Sequence, residues 1–62
     1  MNKPVAKLIG QDGNVFNLIG VCSKALRKSG QDDKAKEMRG RIMKAKSYDE
    51  ALQIMMEYVE VK

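Results

Sequence analysis

Asn14-Val15-Phe16-Asn17-Leu18-Ile19-Gly20-Val21-Cys22-Ser23-Lys24-Ala25-Leu26-Arg27-Lys28-Ser29-Gly30 is the stretch on which the fold turns. Two readings compete for its first half. The preceding Asp12-Gly13 is a strong hairpin signal, which would make Val15–Ile19 the second strand of a hairpin begun by Val5–Ile9. Against this, Val15, Leu18, Ile19, Cys22, Ala25 and Leu26 recur at helical spacing without a break to Gly30. Asn14 is a good N-cap and Gly30 stands where a helix C′ residue belongs. Lys24, Arg27 and Lys28 suit the negative end of the helix dipole. The helix is the favoured reading, and the chain is expected to be mainly α.

Towards the N-terminus, Val5–Ile9 is short, apolar and bounded by Pro4 and Gly10, as a strand would be. Towards the C-terminus, a second helix is expected from an Asp32 or Asp33 cap to about Ala45, with Ala35, Met38, Ile42 and Ala45 facing the core. Gly40 weakens it by about 1 kcal/mol relative to alanine. Ser47-Tyr48-Asp49-Glu50 fits a capping box that opens a third helix, with Ser47 as N-cap and Glu50 reaching back. Tyr48, Ala51, Leu52, Met55 and Val59 are read as its inner face, and its stop is placed near Glu57. The ending Tyr58-Val59-Glu60-Val61-Lys62 alternates apolar and polar. It is expected to pair with Val5–Ile9, with a fraying helix as the alternative. The fold expected is one domain over residues 1–62: three short helices and, if the ends pair, a two-stranded ribbon of the N- and C-terminal segments.

A 62-residue chain buries too little surface to be more than marginally stable without reinforcement. One cysteine and no histidine leave neither an intramolecular disulfide nor a zinc site within one copy, so self-association remains. The apolar arcs agree. On a helical wheel the first helix is apolar over roughly 220° and the third over roughly 200°, where a surface helix needs little more than about 100°. A homo-oligomer, most simply a dimer, is expected, with the contact drawn from Phe16, Val21, Ile54 and Met56. No stretch is long and apolar enough to span a bilayer, and no secretion signal opens the chain, so a cytoplasmic protein without membrane contact is expected.

Catalysis is the least favoured class. Without histidine no side chain has an ordinary pKa near neutrality. Cys22 falls on an apolar face, where burial quiets a thiol. Asp32-Asp33 and Asp49-Glu50 sit at helix starts, where carboxylates serve the dipole. Gly10-Gln11-Asp12-Gly13-Asn14 lacks the lysine of a phosphate-cradling loop. No catalytic residue, metal or cofactor is expected.

Charge is the informative feature. Residues 24–46 hold nine basic side chains against three acidic ones, and residues 47–62 hold four acidic against Lys62. Lys34, Lys36, Arg39, Arg41 and Lys46, with Met43 beside them, are the candidate face for a host protein or an anionic nucleotide. Arg39 and Arg41 are expected to point away from the core. A small basic nucleic-acid-binding protein is the alternative. A helix without Asn, Gln, Ser or Thr between Lys34 and Lys46 would bind nucleic acid electrostatically and without reading bases.

Lys7-Leu8-Ile9-Gly10-Gln11-Asp12-Gly13-Asn14-Val15-Phe16-Asn17-Leu18-Ile19-Gly20 followed by Ser23-Lys24-Ala25-Leu26-Arg27-Lys28-Ser29-Gly30 resembles a group of small uncharacterised proteins encoded by phages and prophages. Their pattern runs KLIGxDGNxFxLxG, then SKALKKxG, a variable helix, a Tyr-Asp pair and an ending like VEV. Tyr48-Asp49 and Val59-Glu60-Val61 match the last two elements, whereas residues 31–46 depart from the pattern in being unusually basic. The resemblance carries no ligand or activity. It implies a phage or mobile-element origin and a place in the host cytoplasm. The function expected is a non-enzymatic accessory protein that binds and blocks a host factor, either a bacterial defence component or its anionic nucleotide signal.

Overall fold

A computed structural model describes residues 3–62. Five elements follow in order: β1 (Val5–Ala6), α1 (Val15–Lys28), α2 (Asp32–Met43), α3 (Tyr48–Tyr58) and β2 (Glu60–Val61). The protein is therefore mainly α, with the expected three helices and a ribbon of its two terminal segments.

The stretch 14–30 is helical for the reasons its sequence offers. Asn14 is the N-cap, and its side-chain oxygen accepts from the Phe16 N–H at 2.8 Å. Asp12 accepts in turn from the Asn14 N–H and, through its backbone carbonyl, from the Asn17 side chain, so the Asp-Gly turn feeds a helix and not a hairpin. At the other end Gly30 takes φ +76°, the left-handed conformation a helix C′ glycine supplies. The Gln31 N–H reaches back to the Leu26 carbonyl at 2.8 Å.

That closing turn corrects the expected start of α2. Gln31 is its N-cap residue and makes no side-chain cap bond. The chain leaves the Gly30 turn already directed along α2, so Asp32 and Asp33 lie within the first turn and act on the dipole instead of capping it. The helix also stops earlier than expected, at Met43, although Ala45 still packs against the core. Ser47 caps α3 as expected, its hydroxyl accepting from the Glu50 N–H at 3.1 Å. The reciprocal arm of the capping box is missing, since the Glu50 carboxylate has no hydrogen-bond partner among the described residues.

The ribbon is parallel, with Val5 opposite Glu60 and Ala6 opposite Val61. It is shorter than the expected Val5–Ile9 strand. The chain bends after Ala6, and the N–H groups of Leu8 and Ile9 converge on the Lys62 carbonyl at 2.6 and 2.9 Å. Parallel strands need a long connection, and the three helices provide it.

Leu18, Cys22 and Leu26 of α1, Ala35, Met38 and Ile42 of α2, and Ala51, Ile54 and Met55 of α3 form the core with Ala6 and Val59. Two expectations about α3 are overturned here. Ile54, placed at an oligomer contact, is 7% exposed, and Tyr48, placed on the inner face, is 48% exposed. Both follow from α2 packing on the side of α3 where Arg41 meets Glu57 and Tyr58, three and four residues on from Ile54, which turns the buried arc away from Tyr48. Val21, also expected at an oligomer contact, is half-buried and packs against the core. The fold is a slab measuring 28 × 25 × 16 Å, too thin to cover the helices on both sides. Phe16 and Met56 accordingly remain exposed, as the width of the apolar arcs implies.

Candidate functional site

The six residues of the candidate face are all exposed, but the fold divides them three ways. Lys34 and Arg41 share one edge of α2 and turn towards α3. Arg41 donates through both terminal nitrogens to the Glu57 carboxylate, at 2.7 and 3.0 Å. It also donates to the Tyr58 hydroxyl at 3.3 Å and lies over that ring, 5.7 Å from its centroid. The Tyr58 hydroxyl donates to Glu37 at 2.6 Å, and Glu37 is 4.0 Å from the Lys34 ammonium. The expectation that Arg41 is free to meet a partner is thus corrected. It belongs to an internal seam between α2 and α3, because the crossing of the helices brings residue 57 over residue 41.

The seam tunes its own members. The hydrogen bond to Glu57, then that to Tyr58, raises the Arg41 pKa above its usual value. The same bond from Arg41 lowers the Glu57 carboxyl below its usual value. Burial raises the Tyr58 hydroxyl, against the opposing pull of Arg41. Lys3, Gln31, Lys34, Glu37, Arg41, Glu57 and Tyr58 line a cleft of about 300 Å³ in which cations and carboxylates answer each other. Three cations face two carboxylates in this lining, so most of its positive charge is answered within the fold.

Arg39 lies on the other edge of α2 and Lys36 on its outward face, and neither forms an ion pair or side-chain hydrogen bond among the described residues. Lys44, at the helix end, is likewise unpaired there. Met43 and Lys46 form the third group. They line a groove of about 310 Å³ with Val15, Phe16 and Ile19 of α1 and Tyr48 and Ala51 of α3. Met43 and Phe16 stand 74% and 72% exposed on its rim.

Cys22 is fully buried, and burial pushes its pKa up to about 11. A thiol so held is almost entirely protonated at neutral pH, and the thiolate is the nucleophilic form. Among the described residues no group of three His, Cys, Asp or Glu side chains is placed to hold a metal ion.

Local sequence reading missed the seam. Arg41 and Lys34, seven residues apart with Glu37 between them, visibly share a stripe, but the partners of Arg41, Glu57 and Tyr58, lie 16 and 17 residues further on, and Tyr58 reaches back to Glu37 across 21. The Tyr48 hydroxyl, which donates to the Gly13 carbonyl across 35 residues, was hidden in the same way.

What fold and surface together define is a small three-helix protein, its two terminal segments tied by a parallel ribbon, with cations unpaired among the described residues beside an open apolar groove. No protein family, curated protein or solved structure matches the chain.

Proposed function

We propose that this chain is a non-catalytic accessory protein of phage type that binds and blocks a host factor, and that Lys36 and Arg39 form the face that meets it. The observation that carries this reading is the division of charge on α2: Arg41 is used within the fold, whereas Lys36 and Arg39 are not. Like charges crowded on one helix repel each other by a few tenths of a kcal/mol per pair. Cations that keep that cost without an ion pair or side-chain hydrogen bond among the described residues fit an anionic partner. An acidic defence component or an anionic nucleotide signal is the class of target, and the host cytoplasm is where it would be met. The buried, protonated Cys22 and the absence of histidine support a binding role over a catalytic one.

Lys36→Glu/Arg39→Glu tests the reading by quantitative pull-down from host lysate, with mass spectrometry of protein and small-molecule eluates. A partner held by the wild type should be lost from the variant by at least tenfold, with the melting temperature unchanged. Equal recovery by both would overturn the assignment of the face. Tight binding to random duplex, with log affinity falling by about 0.9 per phosphate contacted as log salt rises, would favour a nucleic-acid-binding protein instead.

A further inference from the structure

We propose that the chain pairs with a second copy of itself through an apolar band centred on Tyr48. Among the described residues six large apolar side chains are exposed, and five of them belong to this band. Phe16 and Met43 line the groove of about 310 Å³ at the meeting of α1, α2 and α3. Ile9, 74% exposed, and Met56, 49% exposed, line a second groove of about 290 Å³ with Leu8 and Leu52. Tyr48 lines both. Its hydroxyl donates to the Gly13 carbonyl, which fixes the ring as a shared wall between them.

The arrangement is complementary to itself. A two-fold axis lying in the contact plane near Tyr48 exchanges the two grooves. Phe16 and Met43 of one copy then face the Ile9 and Met56 groove of the other, and the reverse contact forms at the same time. Charge follows the same rule. Lys46 lines the first groove and has no partner within the described chain. Asp49 lies on the Met56 stripe of α3, seven residues before it, and hydrogen-bonds Gln53 between them at 3.0 Å. Asp49 lines neither groove but shares the stripe of α3 that carries Leu52 and Met56 of the second, so the exchange turns Lys46 of each copy towards the side of Asp49 on the other. A partner unrelated to this chain would have to supply both complements, whereas a second copy already carries them.

Size argues in the same direction. A specific interface takes about 800 Å² per partner, roughly a fifth of the 4322 Å² this chain exposes. A thin slab with so small a core gains from such a cover. Lys36 and Arg39 line neither groove, so both remain outside the band and appear twice on the pair. Pairing through the band therefore leaves both cations open to a host factor, whatever its identity.

Sedimentation of the full chain from low to high micromolar concentration tests it, with far-UV circular dichroism as a check on folding. The wild type should run at twice the 7.0 kDa of one chain. Phe16→Glu and Met56→Glu should each weaken the pair at least tenfold while remaining helical. Phe16→Ser and Met56→Gln are the milder versions if a charge disturbs the fold. Lys46→Glu and Asp49→Lys should each weaken it, and the double exchange should restore it. A wild-type monomer at high micromolar concentration would overturn the proposal. So would a dimer indifferent to Phe16 and Met56, or a double exchange no better than its single parents.

Discussion

Two residues of α1 show how little a small core tolerates. Cys22 and Ser23 are neighbours, 0% and 3% exposed, and polar to different degrees. The Ser23 hydroxyl has no hydrogen-bond partner among the described residues, and an unmet buried hydroxyl costs more than its removal. Ser23→Ala should therefore raise stability by about 1 kcal/mol, helped by the better helix propensity of alanine. Urea denaturation checks it, and a loss of stability would show that the hydroxyl is satisfied. Cys22 makes a pH prediction. Its pKa rises from an ordinary value near 9 to about 11 through burial. The folded state thus keeps a proton that the unfolded chain loses first. The stabilising contribution is fully present below about pH 9 and is lost as pH rises to about 11. Stability measured over that range should fall more steeply for wild type than for Cys22→Ala, and parallel curves would contradict the burial assigned to the thiol.

At the scale of elements, the two acidic helix starts look alike in sequence and differ in the fold. Ser47 hydrogen-bonds the backbone of α3, whereas the Asp32-Asp33 pair follows a cap residue without a side-chain bond. Ser47→Ala should cost about 1 kcal/mol, the usual worth of an N-cap. Asp32→Ala removes an interaction with the dipole alone and should cost no more than about 0.3–1 kcal/mol, a deficit that shrinks in salt. Thermal melts at low and high ionic strength separate the two. A salt-sensitive Ser47→Ala or a salt-insensitive Asp32→Ala would reverse the roles assigned here. The seam of Arg41, Glu57 and Tyr58 is an element-scale feature as well. Its ion pair is 44% and 55% exposed, so it orients α2 against α3 more than it stabilises them.

Over the whole molecule, the ribbon joins what the chain order separates. The Glu60 N–H donates to the Pro4 carbonyl at 2.8 Å and the Lys62 N–H to Ala6 at 3.0 Å. An isolated ribbon of this length would not persist in water, so its stability is lent by Ala6 and Val59 in the core. Glu60→Pro removes one of these donors and leaves the Pro4 carbonyl unpaired. It should cost about 1 kcal/mol or more and speed amide exchange at Leu8 and Ile9, whose N–H groups depend on the position of Lys62. Unchanged exchange at both would mean that the N-terminal segment is held by α1 alone.

Periodicity and capping, both local, determined most of the fold. The spacing of Val15 to Leu26 made α1, and Asn14, Gly30 and Ser47 marked boundaries because their preferences act within one turn of the chain. The alternating tail likewise indicated the ribbon. Tertiary structure alone decided which apolar arcs are covered. Ile54 and Tyr48 lie on the same apolar arc of α3, and the side taken by α2 buried one and exposed the other. It also decided which cations are free. Lys36 and Arg41 are equal in sequence, both exposed and basic on one helix, and a carboxylate 16 residues beyond Arg41 separates their roles. Local spacing sets the face of a helix on which a side chain lies, whereas its partner depends on the angle at which two helices cross, which packing of the whole core determines.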